Sequence, residues 1–359
     1  MKSTYKRLGD YIRQVDVRNR DEKVTRLLGV SIDKKFIESI ANTIGTDMSV
    51  YKIVRYGQFA YGPVTSRNGD KVSIALLTEV ECIISSSYTV FEVIDKKVLL
   101  PEYLMLWFMR PEFDRYARFH SHGSAREIFD WEEMCNVELP VPPIEEQEKI
   151  VNAYESIENR IALKRKINDN LEEQAFNFYK HKFEENRSLN IENGWRNCSI
   201  SYFAPIITGK KDANTTNISG KYPFFSCSQD VLLTKEYSFD GNAVLVAGNG
   251  DFNIKWYCGK FEAYQRTYVL IPTEKSNYAL LYYALKYHLP EAVNSARGSV
   301  ISFITKGILE DIKITIPKDT TVLSKYCNVL DFYNKTIDIN KKEIRQCITF
   351  LQMLLSNMT

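Results

Sequence analysis

The chain has no apolar run of about 18 residues, the minimum for a membrane-spanning helix, and its opening segment MKSTYKRLGDYIRQ has no apolar signal stretch. Neither a membrane span nor a secretion signal is expected, and the expected compartment is the cytoplasm. Histidine is scarce, at four residues. The seven cysteines (Cys82, Cys135, Cys198, Cys227, Cys258, Cys327 and Cys347) are scattered with no CxxC pair. That pattern argues against zinc and against a disulfide framework, and the thiols are expected to be reduced and mostly buried. Charge of one sign is also lacking: the net value is +2, residues 1–140 carry 20 Lys/Arg against 20 Asp/Glu, and residues 200–300 carry 10 against 8. No broad basic surface is expected, so any phosphate contact has to come from a few placed side chains.

Catalytic motifs are missing as well. There is no GxxxxGK[ST], HExxH or GxSxG, and no Asp-Pro-Pro-Tyr or Asn-Pro-Pro-Tyr segment of the amino-methyltransferase kind. Gly248-Asn249-Gly250 follows a strand pattern, but DFNIKWY after it reads as another strand, so a hairpin turn is expected in place of a dinucleotide site. His120 and His122 in FHSHGSAR have no third ligand at metal spacing and read as part of a loop facing solvent or phosphate. No nucleophile, general base or metal ligand set is nominated.

What is present is a repeat. With 44% apolar, 13% aromatic and 26% charged residues the chain can bury proper cores. Adding 175 to the numbers from Tyr103 to Pro142 pairs Tyr103 with Tyr278, Leu106 with Leu281, Gly123-Ser124 with Gly298-Ser299 and Pro142 with Pro317, without a gap. The aromatic helix PEYLMLWF matches NYALLYYAL, and VELPVP matches IKITIP as an alternating strand stopped by proline. The first junction, LPVPPIEEQEKIVNAY, then enters a helix, because proline removes a ladder donor but is tolerated in a first helical turn.

No Pro or Gly occurs from Ile144 to Phe183, and Ile150, Tyr154, Ile157, Ile161, Ile167, Leu171 and Phe178 recur on one helical face. In the second copy Leu323, Tyr326, Leu330, Tyr333, Ile337, Ile344, Ile348, Leu351 and Leu355 step by three or four, with Asn340 polar at a seam position. This spacing predicts two helices packed as a coiled coil, about 40 residues and about 60 Å each. Asn340 either sets their register or sits at the solvent edge. With 7 Lys/Arg against 8 Asp/Glu, the first helix reads as a spacer or docking surface and not as a grip on DNA.

The blocks between are mixed. SVYKIVRYGQFAYG, KVSIALL and YTVFEVI read as strands in the first, with LPEYLMLWFMRPEFDRYARFH a helix interrupted by proline; GNAVLVAGNGD, IKWYCGKF and RTYVLIP read as strands in the second. The polar segment ENRSLNIENGW is a boundary signal. The expected fold is α+β, with globular domains at 1–143 and 189–318 and long helices at 144–188 and 319–359.

Taken together, GSAREIFDWEEMCNVELPVPPIEEQEKIV, ISSSYTVFEV, LLPEYLMLWF, GKYPFFSCS, YSFDGNAVLVAGNGD and CGKFEAYQRTYVL resemble the specificity (S) subunit of type I restriction-modification systems over nearly the whole chain. The second junction, IPKDTTVLSKY, departs from the pattern by lacking the second proline and the Glu-Gln pair. The resemblance implies two target-recognition domains, each reading half of a bipartite DNA sequence. Two antiparallel coiled-coil helices would separate them in a pseudo-twofold arrangement, fix the gap and dock two methyltransferase (modification) subunits. It implies no catalysis in this chain, which would hold no cofactor; S-adenosylmethionine, ATP and magnesium would act in the modification and restriction (translocase-nuclease) subunits. Side chains suited to base edges and phosphates are expected on loops. In the first domain these are Arg55, Tyr61, Ser66, Arg67, Asn68, Lys71, His122 and Arg126. In the second they are Lys210, Lys211, Lys221, Ser226, Ser228, Gln229, Asn249, Lys255, Arg266 and Arg297. The competing readings are a coiled-coil scaffold that does not bind DNA and the recognition subunit of a methylation-only system.

Overall fold

The computed structural model describes residues 5–39, 45–66, 68–123, 127–185, 191, 194–212, 216, 219–295 and 303–358. By contacts the chain divides into two compact units, 1–162 with 344–359, and 163–343.

The first unit begins with β1 (Tyr5–Arg7), β2 (Ile12–Val15), β3 (Leu28–Val30), β4 (Phe36–Glu38), β5 (Lys52–Val54), β6 (Gln58–Tyr61), β7 (Ile74–Leu76), β8 (Cys82–Ile84) and β9 (Thr89–Val93). Four of these form an antiparallel sheet in the order β2-β9-β6-β7. The stretch SVYKIVRYGQFAYG, expected as one strand, is two: β5 pairs with β8 and β6 with β9, because Gly57 turns the backbone between them at φ +81°. Helix α1 (Pro101–Phe108) stops before α2 (Pro111–Phe119), whose first residue is the interrupting proline. Then come α3 (Trp131–Asn136), β10 (Glu138–Pro140) and the long α4 (Ile144–Tyr179).

The junction that opens α4 is held by Gln147, which is fully buried. Its side-chain oxygen accepts from the Leu100 amide at 2.9 Å, and its Nε2 donates to the carbonyls of Val98 and Pro142, both at 2.8 Å. One side chain thereby ties the helix start to the strand before it and to the segment leading into α1.

In the second unit follow β11 (Trp195–Ser199), β12 (Ile206–Thr208), β13 (Tyr222–Phe225), β14 (Val231–Thr234), β15 (Phe239–Ala247), β16 (Ile254–Ala263) and β17 (Thr267–Leu270). Six of them form one sheet, β12-β17-β15-β16-β13-β14, and the β15–β16 pair is an antiparallel hairpin turning at Gly248-Asn249-Gly250, as expected. Next are α5 (Tyr278–Ser295), α6 (Lys306–Asp311), β18 (Lys313–Pro317) and the second long helix, α7 (Thr320–Ser356). Asp319 caps α7, accepting from the amides of Thr321 at 2.8 Å and Val322 at 3.4 Å, in place of the second proline.

Within the second unit α4 and α7 run antiparallel, since Lys164 meets Glu343 at 2.8 Å, Asn168 meets Asn340, and Phe178 meets Tyr326. Asn340 is a buried seam residue: its Nδ2 donates to Asn168 Oδ1 at 2.9 Å and its Oδ1 accepts from Lys164 at 3.0 Å. The expected seam position Ile167 is exposed, because the buried face of α4 passes through Gln147, Tyr154, Ile161, Asn168 and Ala175, a strict seven-residue step. In the first unit Val151, Tyr154 and Ile161 of α4 share a core with Leu351 and Met358 at the other helix.

All seven cysteines are free, but only Cys82 and Cys327 are buried, so the expectation of mostly buried thiols is corrected. Among the described residues no helix is long and apolar enough to cross a membrane. ENRSLNIENGW lies largely outside the described residues.

Candidate nucleic-acid interface

In the second unit three loops meet. Asp251, in the β15–β16 hairpin, accepts from Gln229 Nε2 and from Asn253 Nδ2, each at 2.6 Å, and Asn253 Nδ2 also reaches the Cys227 carbonyl at 2.7 Å. These bonds, the Asn253 one foremost, hold the Asp251 carboxyl below the ordinary carboxylate range. Lys255 donates to the Ser228 carbonyl at 2.5 Å and to the Asn253 side-chain oxygen, and burial pushes its ammonium below the ordinary lysine range. The turn Tyr264–Thr267 joins them through Tyr264 N–H to Phe225 O at 2.9 Å, Gln265 N–H to Lys211 O at 3.0 Å and Gly248 N–H to Arg266 O at 2.8 Å.

Ser226, Ser228, Gln229, Asn249, Lys255 and Arg266 therefore come together, with Lys210 and Lys211 at the margin; Lys211 is 3.2 Å from Glu236. Lys221 does not join them: it precedes β13, at the opposite end from Ser226, and lies 5.7 Å over the Tyr222 ring. Cations and carboxylates alternate on this surface, so it offers donors and acceptors at close quarters instead of a field of one sign.

In the first unit Val64 and Thr65 pack beside Ser121, Glu127 and Ile128. Thr65 N–H donates to Glu127 O at 2.9 Å, Thr65 Oγ1 to Ser121 Oγ at 3.0 Å, and His122 and Ile128 exchange backbone bonds at 3.1 and 2.9 Å. Ser66, Asn68 and His122 thus share a loop face, with Asn68 Nδ2 bonded to Val64 O at 3.4 Å. Glu133 flanks both histidines, 3.1 Å from His120 Nδ1 and 4.0 Å from His122 Nε2. Lys71 turns toward Asp33, 3.6 Å away, at a recess of about 480 Å³ that Lys34, Asp114 and Arg115 also line. Arg55 is 3.7 Å from Glu81. Tyr61 corrects the expectation: it is wholly buried between Phe91 and Phe129, burial pushes its phenol well above the ordinary range, and a core ring cannot meet a groove. Arg67, Arg126 and Arg297 lie outside the described residues.

The family model for the type I restriction modification DNA specificity domain matches this chain twice, at residues 33–173 and 192–349. The chain belongs to that family. It is similar to the type I restriction enzyme EcoDI specificity subunit of Escherichia coli, at 42% identity over 127 residues, 34% of this chain and 28% of that protein. It is also similar to the MjaVIII specificity subunit of Methanocaldococcus jannaschii, at 28% identity over 187 residues, 46% of this chain and 44% of the other. The matches thus span less than half the length of either relative. In fold it resembles the S subunit of a type I restriction-modification system from M. genitalium, with TM-score 0.62 and 13% identity over 100% of this chain and 96% of that one. A chain from a type I R-M system solved to explain complex assembly and conformational transition gives 0.52 at 18% identity, covering 100% and 98%.

For a specificity-family chain, the residues that reading the sequence overlooked are those whose place depends on neighbours. Gln265 lies beside Arg266 on the anchored turn, and Phe303, 60% exposed, is bridged to Asn249. Neither had a signal, since a glutamine carries no pattern and an isolated phenylalanine reads as core. Lys34 and Asp114 form a buried pair at 2.7 Å, and Asp114 also accepts from the Val72 amide at 3.0 Å, which shapes the recess near Lys71. Among the described residues no cluster of His, Cys, Asp and Glu is placed to hold a metal ion.

Proposed function

We propose that this chain is the DNA-reading subunit of a type I restriction-modification complex. Residues 1–143 and 189–318 act as target-recognition domains, each meeting one half of a split duplex sequence. The helices of 144–188 and 319–359 set the gap and dock two modification subunits. The chain itself performs no catalysis; methyl transfer from S-adenosylmethionine, and ATP- and magnesium-dependent translocation and cleavage, belong to the modification and restriction subunits.

The observation that carries the reading is that the family match occurs twice, and each match takes in a mixed globular block together with most of the long helix that follows it. Two such units read two half-sites at a distance that base contacts alone do not determine. A near-neutral net charge suits this division, because base-edge donors specify sequence while partner subunits supply phosphate contacts.

The test is co-expression with the cognate methyltransferase subunit and genome-wide mapping of adenine methylation. A bipartite motif with a fixed gap, lost when this chain is omitted, is expected. Methylation that persists without the chain overturns the reading, as does a complex that binds no duplex DNA.

A further inference from the structure

In the second unit the backbone of the turn Tyr264–Thr267 is closely packed on two sides. Gly209 packs so closely against it that a Cβ there would lie 2.2 Å from the Ala263 carbonyl oxygen and 2.3 Å from that of Tyr264. Gly248 does the same on the other side, where a Cβ would lie 2.4 Å from the Arg266 carbonyl oxygen. That oxygen accepts from the Gly248 amide at 2.8 Å and from Cys227 Sγ at 3.4 Å. The side chains show the opposite. Gln265 and Arg266 are exposed, and neither has a hydrogen-bond or ion-pair partner for its side chain among the described residues. The other described arginine of this globular block, Arg196, is bonded to Tyr202 at 2.7 Å.

Phe303 repeats the pattern across a recess of about 400 Å³. Its neighbour Ile304 is held at both backbone groups, by Gly248 O at 2.7 Å and by the Tyr268 hydroxyl at 2.9 Å, yet the Phe303 ring is 60% exposed. A tightly packed, hydrogen-bonded backbone that presents a guanidinium and an amide with no partner among the described residues, together with an apolar ring, lowers the ordering cost of recognition. These are also the groups that read base edges: arginine bidentate to guanine, glutamine bidentate to adenine, and an apolar group against a thymine methyl.

We infer that the Gln265-Arg266 turn, with Phe303 opposite, is the base-reading element for one half of the DNA target. Arg266 reads a guanine and Gln265 an adjacent adenine. This rests on the DNA-reading function proposed above. Lys210 and Lys211, at the margin, then serve phosphates.

The experiment uses the full chain in complex with its methyltransferase subunit. Methylation motifs and duplex affinity are measured for wild type, Arg266→Ala, Arg266→Lys and Gln265→Ala, with thermal melting to confirm that each variant is folded. Loss of a single bidentate contact is expected to relax preference at one guanine position by roughly five- to 150-fold, in one half-site only. Gln265→Ala should relax one adenine position in the same half. Lysine at 266 should restore part of the affinity but less of the preference, because it lacks the planar fork. A uniform loss across all sequences, with a salt slope reduced by about one, would mark a phosphate contact and overturn the inference. So would an unchanged motif in the variants. If wild type yields no split motif, the function proposed above has failed, and with it this inference.

Discussion

In the first block Asp130 caps α3 by accepting from the Glu133 amide at 2.9 Å; 175 residues on, Thr305 caps α6 by accepting from the Ile308 amide at 3.4 Å. The cores match in the same way: Met134, Val137 and Leu139 are buried in one, and Leu309, Ile312 and Ile314 in the other. The sheets do not match, four strands against six, nor do the loops at their ends. What repeats is the short capped helix, the strand after it and the entry into the long helix, whose buried residues are packed in the same positions. What differs is the number of strands and the loops at their ends, and on those loops the candidate reading side chains are found.

Substitutions at three places probe how far the equivalence goes. The largest effect is expected at Lys34. Asp114, its partner, stands where the second block has the buried Leu289, so one block keeps an ion pair at an otherwise apolar position. Lys34→Met should destabilise the chain by about 3 to 5 kcal/mol by leaving a buried carboxylate unpaired. Adding Asp114→Leu should recover about 2 kcal/mol of that, short of wild type because the Val72 amide loses its acceptor. Denaturant melts of the single and double variants measure both; a double variant no more stable than the single one breaks the equivalence.

Next is the junction. Gln147 makes three bonds while buried, whereas its counterpart Val322 makes none through its side chain. Gln147→Ala is expected to cost about 3 kcal/mol and Val322→Ala under about 1 kcal/mol, read from the same melts. Equal losses would mean that the bonds at Gln147 contribute little. The smallest difference is at the caps: Asp130→Ala and Thr305→Ala should each cost about 1 kcal/mol, with the aspartate the larger because its bond is shorter and its charge faces a helix N-terminus. A larger loss at Thr305 reverses the ranking.

Part of the repeat was not legible in the chain. Tyr5, Lys6 and Arg7 pair with Pro140, Leu139 and Glu138 as Asn197, Cys198 and Ser199 pair with Thr315, Ile314 and Lys313, an offset of 192. The short strands YKR and WRNCS have no alternation to reveal them, and the change of offset hides them from a search at 175. Of the residues nominated by type, Ser226, Ser228, Gln229, Asn249, Lys255 and Arg266 converge in space. Tyr61 was misread because aromatic side chains serve both cores and interfaces, and only burial separates the two uses.

By itself the sequence determined the repeat, the two long helices and the prolines at which the first of them begins, because periodicity and backbone chemistry are local properties. Only the tertiary structure decided that Asn340 is a buried seam residue bonded to Asn168, that the seam of the first helix bypasses Ile167, and that Gln265 and Arg266 stand on a turn pinned by two glycines. Each of those depends on contacts between segments far apart in the chain, and no local pattern encodes which carbonyl a glycine will let approach.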